Sequence, residues 1–580
     1  MPDKKTASFM RSLCLGRIEE EIILPYPQPS TADRETLAAI ASTLRSMLGP
    51  RTNDFRAWDV AGELPASFVQ ELREAGLFGL VVPEAHGGMG LGAAAYSRVI
   101  QELGRYDGSV AVTVGAHSSI GMRGVLLFGT EEQKARWLPR LATGELVAAF
   151  CLTEPGAGSD AAGIRTSAVR DGDDWILNGE KLWITNGGFA DFFTVFAKTS
   201  LDGRGHITAF VVTRDLKGVS TGPHEDKMGI RASSTTSVHF DDVRVPAANV
   251  LGEVGKGFKV AMKILNAGRT GLGGGSVGGM KRLIEHATAH ARERSQFGRP
   301  IATFETIRQK VGQMVVDCWA AESVVNLVAG LVDRGYEDLA VEAAISKVLA
   351  TESLWRTADE ALQIAGGSGY MRELPYERAL RDSRINRIFE GTNEVLRLFI
   401  ALAAMNDVAD GLKDLSHSMK GVLADPVKGF GLLSDYAKRR ASLATGIAVE
   451  KGKFTLASPS LAEETAQFEE EARGVALAAD RLLRRHGTKI VDAQLACRSL
   501  ADAMIDLFAL AATLSRVSTR IEDHGEAAAA QDRELLRAFA AQARRRIRRS
   551  LAATDAPDEP GLLGLGDRAL EAGRYAWNDA

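Results

Sequence analysis

The chain has 580 residues, of which 45% are hydrophobic and 25% charged. That is the balance of a globular protein able to bury several cores, with a length expectation of roughly three or four domains. A net charge of −4 and an isoelectric point near 6.3 exclude a general attraction to nucleic acid. Cys14, Cys151, Cys318 and Cys497 stand far apart with no paired metal spacing, which argues against a disulfide framework and for free thiols in a reducing compartment.

In chain order, residues 1–17 hold no long apolar core, and no uninterrupted apolar run of about 18 residues follows, so neither a secretory signal nor a spanning helix is expected. An Arg-rich, acid-poor transit peptide is not evident, and the expectation is an unprocessed cytoplasmic protein of bacterial type. Prolines at 25, 27 and 29 end an N-terminal arm over 1–34, because that density opposes both helix and central strand. Apolar residues at three and four spacing then predict helices over 36–48, 65–77, 93–104, 110–128 and 131–141, making 35–148 an all-helical domain. The period changes near residue 150. Short β-branched and aromatic runs at 175–179, 192–198, 207–213 and 237–240, separated by Gly, Asp and Asn turns, predict a small antiparallel β domain over 149–247. Longer helices return at 258–268, 277–294, 304–333, 338–366 and 388–404, a second α domain over 248–405. Residues 406–580 stay helical but change character: 406–453 is rich in Gly, Lys and Ser, and helices are predicted over 460–485, 492–522 and 531–552. The fold class is α+β, mainly α.

Several stretches carry chemistry. The loop Phe150-Cys151-Leu152-Thr153-Glu154-Pro155-Gly156-Ala157-Gly158-Ser159-Asp160 offers hydroxyls, peptide N–H groups and small residues that suit the edge of a polar ring, and equally an ordinary Gly-rich turn. Lys181-Leu182-Trp183-Ile184-Thr185-Asn186-Gly187 adds a Trp able to cover an aromatic ring or to fill a hairpin core. Arg292-Glu293-Arg294-Ser295-Gln296-Phe297-Gly298 presents guanidinium forks for a pyrophosphate, or a solvated charge run. Gln363-Ile364-Ala365-Gly366-Gly367-Ser368-Gly369-Tyr370 ends a helix with free N–H groups that meet a ligand or form a C-cap. Gly273-Gly274-Gly275-Ser276-Val277-Gly278 matches G-x-G-x-x-G but follows a helical pattern, so tight helix packing is the better reading. His286 and His290 stand at i and i+4 without a third ligand, and no metal site is expected.

The stretch Ile388-Phe389-Glu390-Gly391-Thr392-Asn393 holds a carboxylate between an apolar run and a glycine. Shielding raises a carboxyl pKa toward the working pH of a general base, and Gly391 lets the backbone approach a ligand; a plain helix cap is the alternative.

Thr153-Glu154-Pro155, Trp183-Ile184-Thr185-Asn186-Gly187, Arg294-Ser295-Gln296-Phe297-Gly298, Gln363-Ile364-Ala365-Gly366-Gly367 and Phe389-Glu390-Gly391-Thr392-Asn393, in this order, resemble the acyl-CoA dehydrogenase flavoprotein family over about residues 35–405. The C-terminal helical extension and the sequence around Glu390 are most similar to its very-long-chain branch. The resemblance implies an N-terminal helical domain, a central antiparallel β domain, a C-terminal four-helix-bundle domain and an extra C-terminal helical domain. It also implies a reaction: Glu390 takes the pro-R α-proton of a long-chain acyl-CoA, the β-hydrogen leaves as hydride to flavin N5 of FAD, and trans-2-enoyl-CoA forms. Thioester polarisation by the Glu390 N–H and the flavin ribityl 2′-hydroxyl belongs to the same likeness.

By likeness, Phe150, Thr153, Ser159, Trp183 and Thr185 map onto flavin contacts. Arg294, Gln296, Phe297, Gln363 and Gly367 map onto contacts to the FAD of a neighbouring subunit, implying a homodimer, and Thr392 and Glu394 onto adenine-side contacts. Ser159, Asn266, Arg269, Phe389 and Gly391 map onto the substrate side. Some relatives place the base directly before the arginine that is Arg269 here; that position is Gly268, which leaves Glu390. Asn266 departs from shorter-chain relatives, which carry Asp. Gly115 and Ala116, in Val114-Gly115-Ala116-His117-Ser118, leave room for a long acyl tail or for close helix packing. Electron-transfer flavoprotein is the implied electron acceptor; an oxidase passing electrons to O2 and a non-catalytic scaffold share the same residues. Met419 to Arg440, within 406–453, mixes apolar and basic residues in the manner of an interfacial helix at the inner face of a membrane, or of a solvated linker. Arg544-Arg545-Arg546-Ile547-Arg548-Arg549 suits anionic lipid heads or nucleic acid, or more commonly a helix face neutralised by nearby acids.

Overall fold

The computed structural model describes residues 4–199, 206–410, 452–556, 561–575 and 577. The chain divides into two compact units, one of residues 27–335 and 346–393, the other of residues 1–26, 336–345 and 394–580.

The first unit begins with helices Thr31–Leu48, Thr52–Ala61, Ala66–Glu74 and Ala93–Tyr106, which enclose Leu44, Phe55, Phe68, Leu72, Val99 and Leu103. Polar caps set the helix starts: Ser30 and Asp33 form a capping box, as do Thr130 and Gln133 before helix Glu131–Ala142. Asp107 caps helix Gly108–Gly115 by accepting from the N–H groups of Ser109 and Val110.

The helix expected over 110–128 is divided. Gly108–Gly115 passes into a π turn, Ala116–Gly121, before Arg123–Phe128. Tertiary contacts select this wider turn. His117 is wholly buried, its Nδ1 accepting from the Ala148 N–H at 2.9 Å and its Nε2 lying 3.1 Å from the Leu141 carbonyl. Burial pulls its pKa down to about 4, so the ring is neutral. Gly121 packs so closely that an added Cβ would stand 2.8 Å from Ala148.

The sheet runs in the order Val219–Thr221, Thr235–Pro246, Asp174–Thr185, Ser167–Asp171, Phe192–Thr199, His206–Thr213, Val250–Leu251. Most neighbours are antiparallel, but Ala148–Cys151 and Ser167–Asp171 pair in parallel with Phe192–Thr199. Phe192–Thr199 is buried along nearly its whole length, which accounts for its continuous apolar run.

One 37-residue helix, Gly257–Glu293, replaces the two expected on either side of the glycine run. Glycine weakens an isolated helix by about 1 kcal/mol per residue, yet here it permits contact with helix Ala93–Tyr106. A Cβ on Gly274 would stand 2.4 Å from the Ser97 carbonyl oxygen, and one on Gly278 1.9 Å from that of Gln101. Close packing therefore outweighs propensity, as the missing dinucleotide context indicated. Helix Glu305–Asp333 is long and apolar enough to cross a membrane, but 78% of its most apolar window is buried inside the protein.

In the second unit the N-terminal arm is folded. Helix Phe9–Cys14 buries Phe9 beside Phe468 and Phe508, with ring centroids 6.4 and 6.2 Å apart. Glu342 accepts from the Ser8 hydroxyl at 2.7 Å and the Met10 N–H at 3.1 Å, and Arg11 pairs with Asp338 and Asp407. The C-terminal helices run over Ala462–His486, Gln494–His524 and Ala530–Ala553, close to expectation. Arg544 and Arg548 pair with Glu470 and Glu471, and Arg546 with Asp506, so these three arginines of the basic run are neutralised by acids, while Arg545 and Arg549 are exposed. Of the expected interfacial stretch, residues 411–451 lie outside the described residues.

Candidate active site

The helix expected from residue 388 starts at Asn393, after the 3-10 turn Ile385–Arg387, and the intervening bend carries Glu390. Glu390 has φ +57° and Gly391 φ +92°. A left-handed glutamate is strained by about 1–3 kcal/mol and persists where its surroundings over-determine it. Lys347 supplies that constraint. Wholly buried, it donates from Nζ to the Gly391 carbonyl and to Asn393 Oδ1, both at 2.8 Å. Asn393 Nδ2 in turn donates to Thr351 Oγ1 at 3.1 Å and Glu352 Oε1 at 3.2 Å. Arg269, also buried, donates from Nε to the Glu390 carbonyl at 3.4 Å and from Nη1 to Asn266 Oδ1 at 2.7 Å.

The side chain of Glu390 is held differently from its backbone. Its Oε2 is buried without a hydrogen-bond partner among the described residues, an arrangement that costs stability and for which a catalytic role is one explanation. Burial pushes the carboxyl above the ordinary carboxylate range, and the charges of Arg269 and Lys347 pull it back in part. The space it occupies is reserved by Gly268: a Cβ there would meet Ile120 Cγ2 at 2.8 Å and Glu390 Oε2 at 3.3 Å.

Glu390 and Phe389 face a cavity of about 390 Å³ within the first unit, walled nearby by Gly268 and Ile120 and lined also by Thr185. Gly115 and Ala116 line it as expected, whereas His117 turns away toward Leu141.

The flavin-side candidates gather on the sheet. The Leu182 N–H donates to the Thr153 carbonyl at 2.9 Å, joining the Thr153 loop to the strand of Trp183 and Thr185. Trp183, at a bulge with φ +57°, is 61% exposed, which rules out the core-Trp reading. Ser159 is exposed, and Gly156 and Gly158 before it face open space, so no packing contact among the described residues accounts for these glycines. Phe150 lies at the edge of the core, its ring 5.1 Å from Phe196. An exposed Trp, a joined hydroxyl-bearing loop and open glycines fit a flat polar ring system such as a flavin.

Sequence reasoning missed what supports this loop. Glu154 is buried, and wholly buried Lys181 donates to its Oε1 at 2.7 Å and to the Leu152 carbonyl at 3.2 Å. The Arg165 and Thr166 N–H groups also donate to Glu154. Burial drives its carboxyl up, but Lys181 and these donors outweigh that and hold it below the ordinary value. Both residues stand inside quoted motifs, but nothing in their spacing shows that they meet.

Other candidates lie elsewhere. Arg294, Gln296 and Phe297 are exposed around the hairpin Ser295–Gln296/Arg299–Pro300, with Phe297 93% exposed at φ +52°. Gln363 and Gly367 are exposed at the end of helix Ala340–Ala365, where the Gly366 N–H donates to the Leu362 carbonyl as a C-cap. None of these five lines the Glu390 cavity. Thr392 is half-buried and Glu394 exposed at the start of helix Asn393–Ala404.

Three matching family models are described as the N-terminal, middle and C-terminal domains of acyl-CoA dehydrogenase, over residues 34–145, 149–243 and 255–405, and a fourth as the ACAD9/ACADV C-terminal domain over 459–560. The very long-chain specific acyl-CoA dehydrogenase of Homo sapiens mitochondria is 42% identical over 562 residues, covering 95% of this chain and 84% of that protein. A Bacillus subtilis acyl-CoA dehydrogenase is 42% identical over 340 residues, covering 58% and 89%. Among solved structures, an acyl-CoA dehydrogenase complexed with FAD from Bacillus anthracis superposes with a TM-score of 0.80 at 33% identity, covering 99% of this chain and 97% of that one.

Proposed function

The chain belongs to the acyl-CoA dehydrogenase family, and from that premise we propose that Glu390 is the base that removes the α-proton of a long-chain acyl-CoA. The protein is an FAD-dependent acyl-CoA dehydrogenase of fatty acid β-oxidation. The single observation that carries the assignment of the base is the buried, unpartnered Oε2 of Glu390 facing the cavity.

Acyl-CoA loses a proton from its α-carbon and a hydride from its β-carbon, leaving a trans double bond between them. FAD, when bound, would supply the hydride acceptor, and Thr153, Ser159, Trp183 and Thr185, with Phe150 opening the same loop, would hold its ring system. Glu390 takes the proton on Oε2. Its raised pKa makes it a stronger base than an exposed carboxylate, and its exclusion from water spares the reaction a solvent shell that would have to be removed. The Lys347 and Asn393 clamp fixes the Gly391 backbone, and the Glu390 N–H would donate to the thioester oxygen as enolate character develops. Phe389 and Gly391 shape the wall there, and Arg269, held by Asn266, faces the CoA side.

Substrate length follows from the cavity. Before its charged end it is lined by helix Gly257–Glu293 from Gly268 to Gly279, which at about 1.5 Å per residue is roughly 17 Å, comparable to the ~15 Å that one acyl chain spans in a bilayer core ~30 Å thick. That supports acyl groups of the long and very long classes. Electron-transfer flavoprotein is the acceptor in this reading, supported by the resemblance of 66% of the chain to a solved structure described as the electron transferring flavoprotein of Acidaminococcus fermentans, with a TM-score of 0.63 at 36% identity. The exposure of Arg294, Gln296, Phe297, Gln363 and Gly367 away from the cavity supports a homodimer in which they contact the partner's FAD.

Anaerobic bleaching of the flavin by palmitoyl-CoA tests the base. Glu390→Gln keeps its FAD and loses at least about a hundred-fold in bleaching rate; an unchanged rate would refute the role. Reoxidation fast with electron-transfer flavoprotein and slow in air separates the dehydrogenase from an oxidase.

A further inference from the structure

The cavity changes character along its length. Its lining residues on helix Gly257–Glu293 recur every three or four positions from Gly268 through Gly275 and Gly279 to Arg282 and His286, a single face of the helix. At the Glu390 end that face meets Ile120 and Ala116; at the other it meets charge and solvent. Arg282 has a side chain 42% exposed, and Glu373 is exposed beside Leu374, itself 38% exposed. Arg105, also on the lining, donates from Nη2 to Glu285 Oε1 at 2.7 Å, lies 3.8 Å from Glu102, and shares Glu285 with Arg282, whose Nη1 donates to Oε2 at 3.2 Å. Each guanidinium carries five N–H donors, so both retain donors beyond these bonds. Arg378, with a side chain only 12% exposed, forms an ion pair from Nη1 to Asp107 Oδ2 at 3.7 Å, and that buried Nη1 has no hydrogen-bond partner among the described residues.

A blind pocket for a methyl terminus has no use for these groups, since a buried donor without an acceptor is costly and an apolar chain end gains nothing among ions. We propose that the far end of the cavity is a polar exit that admits acyl-CoA substrates bearing a carboxylate at the ω-carbon, the mono-CoA esters of long-chain dicarboxylic acids. Within the reading that Glu390 acts on long-chain acyl-CoA, the thioester sits at Glu390 and the ω-carboxylate emerges by Arg105 and Arg282. There it stays hydrated and takes hydrogen bonds from guanidinium groups, so the large cost of burying an ion is not incurred. A shorter diacid does not reach this exit, and its carboxylate stops against the apolar wall.

The test uses the FAD-loaded full chain and compares kcat/KM for the mono-CoA ester of hexadecanedioic acid with that for palmitoyl-CoA, and the octanedioic ester with octanoyl-CoA. The long diacid ester is expected within about thirty-fold of palmitoyl-CoA, and the short one to lose more than that against octanoyl-CoA. A greater loss at the long length, or equal tolerance at both, overturns the proposal. Arg282→Glu, a change at an exposed position, is expected to lower the long diacid-to-palmitoyl ratio at least about three-fold; an unchanged ratio removes the exit from that end of the cavity. Failure of palmitoyl-CoA itself to bleach the flavin would instead strike at the assignment of Glu390.

Discussion

Glu390 Oε2 lies 3.3 Å from the point where a Cβ on Gly268 would stand. The two residues are 122 apart in sequence, and the glycine is the empty half of a site that has room for one carboxylate.

Gly268→Ala follows directly. The new methyl would meet Ile120 Cγ2 at 2.8 Å and press on the Glu390 carboxylate, inside a packed wall. The variant is expected to fold and keep FAD while its rate of flavin bleaching by palmitoyl-CoA falls about ten- to a hundred-fold, because a displacement near 1 Å is enough to spoil proton transfer. Rapid-mixing absorbance measures it; a rate equal to wild type would mean that the carboxylate is not where the structure puts it.

Lys347→Met removes both the backbone clamp and a positive charge that lowers the Glu390 pKa. Only the ionised carboxylate acts as base, so the rate rises with pH through its already raised pKa. Losing the cation raises that pKa further, and the acid limb of the bleaching rate is expected to move to higher pH. The buried Asn393 Oδ1 left without this donor also destabilises the variant, by about 1–3 kcal/mol, and the part-buried Gly391 carbonyl adds less. A pH profile superimposable on wild type would deny Lys347 its influence on the base.

Lys181→Met leaves Glu154 charged and buried with only its peptide donors. Breaking such a pair costs about 3–5 kcal/mol, and the Thr153 loop is expected to release flavin, read as a rise in free flavin fluorescence and a lower thermal midpoint. Lys181→Met combined with Glu154→Leu is expected to regain part of the thermal midpoint, because no unpaired charge remains.

Gly278→Ala addresses packing alone. Its Cβ would stand 1.9 Å from the Gln101 carbonyl oxygen, so helices Gly257–Glu293 and Ala93–Tyr106 must separate. The expected loss is about 1–3 kcal/mol or more, seen as a lower unfolding midpoint by calorimetry. The same substitution at Gly312, in helix Glu305–Asp333 with open space around it, serves as the comparison and is expected to leave the midpoint at or slightly above wild type.

The one-dimensional pattern determined what depends on near neighbours in the chain. Helix and strand periods, turns and the motif holding Glu390 could all be read locally, because each reflects spacing along one segment. Tertiary structure decided the remainder. The π turn at Ala116–Gly121, the unbroken helix through Gly273–Gly278 and the folding of Phe9–Cys14 are fixed by contacts distant in sequence, and such contacts override propensity at weak points. The same holds for the site: Glu390 was legible as a shielded acid, but the pairing of Lys347 with Asn393, of Lys181 with Glu154, and the space left by Gly268 exist only once segments tens to hundreds of residues apart are packed together. A carboxyl becomes a base through the water and charges around it, and those are properties of the packed protein.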